Sequence, residues 1–148
     1  PIVSLEHAVT RCAVTNERDL EKERTIGRKF SVPYALYRAH AFVNPHLADG
    51  DNGTGFSDDD LDLFKTALGQ MFEYDRSAAR GLMAPRACIA FKHDSPLGNA
   101  RADQLFARVA CSRTNGDGEA TPARSFTDYK LAVDEKDFPE GVTVEQWV

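Results

Sequence analysis

Between Asn16 and Gly27 the chain offers almost nothing that a core could hold. The run Asn-Glu-Arg-Asp-Leu-Glu-Lys-Glu-Arg-Thr-Ile-Gly is dense in charge and poor in large apolar residues, so it must protrude as a loop, a short helix or a hairpin arm. Strand-like sequence flanks it on both sides. Upstream, within residues 2–15, Val9, Arg11 and Ala13 face one way while Thr10, Cys12 and Val14 face the other. Downstream, residues 28–43 are rich in β-branched and aromatic side chains, which predicts a long strand. Pro33 cannot donate a central ladder bond, so it marks an edge, a bulge or the strand start. From Tyr34 onward one face carries Tyr34, Leu36, Arg38, His40 and Phe42, and the other Ala35, Tyr37, Ala39, Ala41 and Val43. The second set is smaller and more apolar and is assigned to the core; the first sets aromatic rings beside Arg38 and His40.

The remaining chain alternates strand and helix signals. Asp49–Gly55 reads as a loop. Ser57 caps a helix whose first turn holds Asp58, Asp59 and Asp60, where the helix dipole favours acids. Leu61, Phe64, Leu68, Met71 and Phe72 recur at helical spacing as its buried stripe. The helix is expected to reach Asp75 or beyond, with Gly81 as its C′ residue. Ala87–His93 reads as a strand, Leu97–Asn99 as a turn, Arg101–Phe106 as a short helix and Ala107–Arg113 as a strand. A loop at Asn115–Ala123 precedes closing strands at Tyr129–Val133 and Val142–Trp147. Two helices among strands without a βαβ period predict an α+β fold with a largely antiparallel sheet.

At 148 residues the chain has the length of one domain that needs no disulfide or metal staple. Cys12, Cys88 and Cys111 are odd in number and lack CxxC spacing, which fits free thiols in a reducing compartment. No apolar run approaches the roughly 18 residues of a membrane span, and the expected location is cytoplasmic. Ile2, Val3, Leu5, Ala8 and Val9 already read as packed structure directly after Pro1. That start fits either a processed Met or a piece of a longer protein, and composition does not choose between them.

The formal net charge of −5 hides a segregation. Residues 1–49 hold seven Lys/Arg against six Asp/Glu, and residues 50–75 one against seven. Residues 76–113 hold seven against two, and residues 114–148 three against eight. Such blocks can give one positive face for phosphates and an opposite negative one. Charge alone is equally compatible with ordinary solvated surface.

Catalytic patterns are missing. His7, His40, His46 and His93 are scattered, and the His40–His46 spacing is not that of a zinc site. No HExxH, GxSxG, Walker A or GxGxxG occurs. No metal or cofactor is expected. Binding chemistry reads better, because phosphates call for Arg, Lys and small polar donors while exposed bases call for rings. Arg24, Arg28, Lys29, Tyr34, Tyr37 and Arg38 supply that mixture. Arg76 and Arg80 stand four apart, on one face of a continuing helix, or else simply complement its C-terminus. Lys92, His93 and Asn99 add donors around a strand end and a Gly turn.

Four segments in order carry a resemblance: Gly27-Arg28-Lys29 through Phe42, Met71 through Met83, Phe91-Lys92-His93 with Leu97-Gly98-Asn99-Ala100, and Pro122 through Tyr129. Together they resemble the repeating backbone subunit of the type I-C CRISPR surveillance complex, Cascade, a family of the RAMP superfamily. The resemblance covers essentially the whole chain. It implies a modified RRM-like (ferredoxin-like) core with a thumb-like hairpin, non-catalytic RNA binding, and antiviral defence by copies polymerised along CRISPR RNA that present it to target DNA. Its partners would be CRISPR RNA, target DNA through the guide, further copies and other Cascade subunits. Family members are roughly twice as long, so the chain is expected to be a C-terminal half with an incomplete sheet, residues 16–29 forming the arm. The RNA-binding residues so implied are Arg24, Arg28 and Lys29 at the arm's base, Ile26 as its apolar wedge, then Tyr34, Arg38, His40, Arg76, Arg80, Lys92 and Asn99. Two other readings remain open: a RAMP-type endoribonuclease acting through His40 or His93, and an interaction module whose basic residues meet acidic neighbouring subunits.

Overall fold

A computed structural model describes residues 2–11, 25–77, 80–114 and 121–148. The mixed α+β class is observed, with its strands in three two-stranded sheets among the described residues. Chain contacts divide it into two compact units, residues 1–38 with 112–130 and residues 39–111 with 131–148.

In the first unit β1 (Leu5–Arg11) and β2 (Thr25–Ser31) form an antiparallel ribbon with Leu5 opposite Ser31 and Arg11 opposite Thr25. In sequence the charged run thus lies between two paired strands, the first of which begins at Leu5. Residues 16–24 of that arm lie outside the described residues. The long strand expected over residues 28–43 is cut short. β2 ends at Ser31 and residues 32–44 enter no ladder, because Pro33 lacks the N–H that would continue it. The segment is tied instead by side chains, with Tyr34 stacked on Tyr129 at 6.4 Å. The expected core face of this segment is not the buried one: Tyr37 is 81% exposed while Tyr34 is half-buried. Without a ladder, alternation loses its meaning.

The C-terminal part of this unit is organised around Asp128. Its carboxylate accepts from the backbone N–H of Arg124 at 2.8 Å and of Ser125 at 3.1 Å. Those bonds hold its pKa below the usual carboxylate value, aided by the nearby Arg113 charge. Ala123, beside this turn, is 5% exposed and is one of two buried residues among those described.

The second unit starts from α1 (Asp58–Tyr74). Ser57 caps it through a reciprocal box: Ser57 Oγ accepts from Asp60 N at 3.2 Å, and Asp60 Oδ2 accepts from Ser57 N at 2.8 Å. Leu61, Phe64, Leu68 and Phe72 form the half-buried stripe, whereas Met71 is exposed. Gly69 approaches Val148, and the Lys65 ammonium lies 5.2 Å over the Trp147 ring while bonding Asp62 at 2.9 Å. β3 (Ile89–His93) pairs antiparallel with β6 (Val142–Gln146), Phe91 facing Val144. Backbone bonds between Cys88 and both Trp147 and Val148 prolong that pairing.

Between them come α2 (Ala102–Ala107), β4 (Val109–Arg113) and β5 (Tyr129–Val133), with β4 paired to β5. The boundary between units falls inside each of these two strands. The second unit's apolar centre is Phe106, which stacks with His40 at 4.1 Å and meets Phe42 edge-on at 5.6 Å and Phe91 at 6.3 Å. Leu105 beside it is 2% exposed. The Arg108 guanidinium covers the Phe138 ring at 4.7 Å and donates to the carbonyls of Lys136 and Asp137 at 2.6 and 3.1 Å. One arginine thus closes the turn after β5 through packing and hydrogen bonds together.

Candidate nucleic-acid interface

The antiparallel register of the first unit sorts the hairpin's side chains into two faces. Leu5, His7, Val9, Lys29 and Ser31 share one; Glu6, Ala8, Thr10, Arg28 and Phe30 share the other. His7 Nε2 and Ser31 Oγ lie 2.7 Å apart on the first face, directly beside Lys29. On the second, Arg28 Nη1 lies 3.1 Å from Glu6 Oε1. The ribbon therefore presents a basic group on each side, one already paired with a carboxylate. Of the predicted arm residues, Arg24 lies outside the described residues. Ile26 belongs to the backbone of β2, but its side chain is outside what is described.

Tyr34 and Arg38 follow in the same unit. The Tyr34 ring is half-buried, and the Arg113 guanidinium lies 5.3 Å over Tyr129, Tyr34's stacking partner. Arg113 Nη2 also donates to Thr121 O at 2.9 Å. Sequence reasoning assigned no role to Arg113 or Tyr129, since neither the end of β4 nor the start of β5 carries a pattern that announces a partner.

The other predicted residues belong to the second unit. His40 is a packing residue on Phe106. Arg76 and Arg80 do not share a helical face, because α1 ends at Tyr74 and its C-cap residue Asp75 has already left the helical conformation, with φ −99° and ψ 81°. Gly81 is likewise not the helix's C′ residue; with φ of +66° it closes a turn bridged to Ser77. Both arginines bind local acids. Arg76 Nη2 bonds Glu73 at 3.1 Å. Arg80 grips Asp75 with both terminal nitrogens, Nη1 at 2.8 Å, and this grip lowers the Asp75 pKa. Phe72, Asp75, Arg76, Ser77, Gly81, Leu82 and Met83 line a cavity of ≈ 340 Å³ here.

Lys92 is exposed on β3, opposite Thr143. Asn99 has a structural duty. Its backbone N–H donates to His93 Nδ1 at 2.9 Å, its side-chain amide donates to Asp94 Oδ1 at 2.6 Å, and its side-chain oxygen accepts from Ser95 N at 3.2 Å. The bond to Nδ1 fixes the His93 tautomer with its proton on Nε2. Asp94 and His93 thus face Asn99 rather than each other, which is not the arrangement of a catalytic triad.

Among the described residues no group of three or more His, Cys, Asp or Glu is placed to hold a metal ion, and no helix is long and apolar enough to cross a membrane. What the arrangement offers is a two-faced basic ribbon followed by a Pro-broken aromatic segment. A family model described as CRISPR-associated protein Cas7 matches residues 1–134. No curated protein matches the chain.

Proposed function

The chain belongs to the CRISPR-associated Cas7 family, and from that premise we propose that it is a non-catalytic, RNA-binding backbone subunit of a type I-C surveillance complex in the cytoplasm. Membership of the family implies a CRISPR-associated backbone subunit that assembles with CRISPR RNA and other Cas proteins. In the finer reading, copies line up along the guide and present it for pairing with target DNA, and this chain supplies the C-terminal half of each copy. Four ordered motifs resembling that subtype support the assignment.

The observation that carries the RNA-binding part is the hairpin. Its two strands flank a charged run in the sequence, and its second strand bears Arg28 and Lys29 on opposite faces. Phosphate recognition needs cations on an accessible element, and a ribbon gives them reach and register. Exposed apolar residues suit a subunit with partners: Leu63, Tyr74, Leu82 and Leu97 are each more than two-thirds exposed.

The test is RNA binding by the protein across a salt series, with copurification of RNA on coexpression with a CRISPR array. Tight, sequence-tolerant, salt-sensitive binding is expected. Unchanged affinity in both Arg28→Ala and Lys29→Ala removes the hairpin from the interface, and failure to copurify with RNA favours a purely structural module. Reading the source gene upstream of Pro1 tests the C-terminal-half assignment.

A further inference from the structure

Tyr34 and Tyr37 stand three residues apart in one segment, and their rings have opposite circumstances. Tyr34 is a layer in a packed stack, half-buried against Tyr129, whose ring also lies under the Arg113 guanidinium. Tyr37 is 81% exposed. A single exposed aromatic residue is commonplace by itself. Two features set this one apart.

The first is electrostatic. From Arg24 to Ala48 there is no Asp or Glu, although the chain carries 23 of them, and the same stretch holds Arg24, Arg28, Lys29 and Arg38. A polyanion meets no carboxylate of that segment. The second is mechanical. Pro33 fixes one backbone dihedral, and the Tyr34–Tyr129 stack pins the segment just before Tyr37, so the ring stands on an anchored strap. Tyr74 provides the contrast: it is 91% exposed but is flanked by Glu73 and Asp75 on the acidic helix α1.

We propose that Tyr37 is a base-stacking residue, its ring taking an unpaired nucleobase of single-stranded RNA while the Tyr34–Tyr129 stack holds its segment in place. The inference rests on the RNA-binding reading above and names a contact which that reading lacks. Every base has a π face, so such a contact is tolerant of sequence, as a scaffold for variable guides requires. It reverses the roles that alternation assigned, placing Tyr34 inside and Tyr37 at the RNA.

The experiment is fluorescence anisotropy of the protein with labelled oligouridylate at several salt concentrations, comparing wild type, Tyr37→Ala, Tyr37→Trp and Tyr74→Ala. Tyr37→Ala should weaken binding about tenfold with an unchanged salt slope, because no phosphate contact is removed. Tyr37→Trp should restore affinity and Tyr74→Ala should leave it unaltered. Circular dichroism checks that Tyr37→Ala keeps the wild-type fold, as its exposure predicts. If wild type binds and Tyr37→Ala binds equally well, the stacking role is overturned while RNA binding stands. If wild type does not bind, both fall. A Tyr37→Ala protein that keeps its RNA affinity but loses self-association on sedimentation places the ring in a protein contact instead, which also overturns the inference.

Discussion

Arg28 and Lys29 are neighbours in sequence and stand on opposite faces of the β1–β2 ribbon, Arg28 beside Glu6 and Lys29 beside His7. A strand's two-residue period imposes this, and it means that RNA following one face meets one of the two cations directly. Arg28 already has a carboxylate 3.1 Å away. Lys29→Ala should therefore reduce the log–log salt slope of RNA binding by about 0.7, and Arg28→Ala by less. Equal losses would mean that the ribbon is gripped from both sides. Glu6→Gln, which releases Arg28 and removes a repelling charge, should raise affinity at low salt.

Gly141 should be intolerant of any side chain. Its φ is +77°, and a Cβ there would collide with Asn99 Nδ2 and both Asp94 carboxylate oxygens. Its own carbonyl accepts from Asp94 N at 3.0 Å, so the backbone cannot easily retreat. Gly141→Ala should lower stability by about 2 kcal/mol, read as a shifted midpoint in urea unfolding. A wild-type midpoint would show that the Asp94–Asn99 knot can open without cost.

The two capped turns predict a common acid response. Asp60 is held below the usual carboxylate range by backbone and side-chain bonds from Ser57, and Asp128 by the amides of Arg124 and Ser125. A carboxylate whose folded pKa is depressed adds stability above its unfolded pKa, about 3.9 for Asp. That stability is lost as pH falls through the folded value. Thermal stability should thus decline below about pH 4, and Asp60→Asn or Asp128→Asn should flatten that limb. Ser57→Ala removes the helix cap and should cost about 1 kcal/mol at neutral pH.

His40 and His93 should not support catalysis. The His40 ring stacks on Phe106, and His93 Nδ1 accepts the Asn99 amide. RNA carrying the CRISPR repeat should remain intact when incubated with the protein in the presence of a chelator. Cleavage that disappears in His40→Ala or His93→Ala would restore the endoribonuclease reading.

Local physics made much of this protein legible. The Ser57 cap with its three acids located the start of α1, and β5 runs over Tyr129–Val133 as predicted. The failures share one cause. Periodicity assumes that a regular element continues, and it misleads once the element stops. α1 stops at Tyr74, which takes Arg76 and Arg80 off a common helical face. β2 stops at Ser31, which strips the alternation from Tyr34 onward of its meaning.

The sequence by itself determined that the twelve residues from Asn16 to Gly27 have little to bury, which is the ground for expecting a protruding loop, short helix or hairpin arm there. It also determined the basic, acid-free character of the segment that follows. Only the tertiary structure decided which ring of that segment is packed and which is free. Tyr34 turns inward because Tyr129, ninety-five residues further along, offers it a face that Arg113 braces from beyond. A partner so remote leaves no local trace, since a stacking contact depends on where two rings meet in space and not on how either is spaced along the chain.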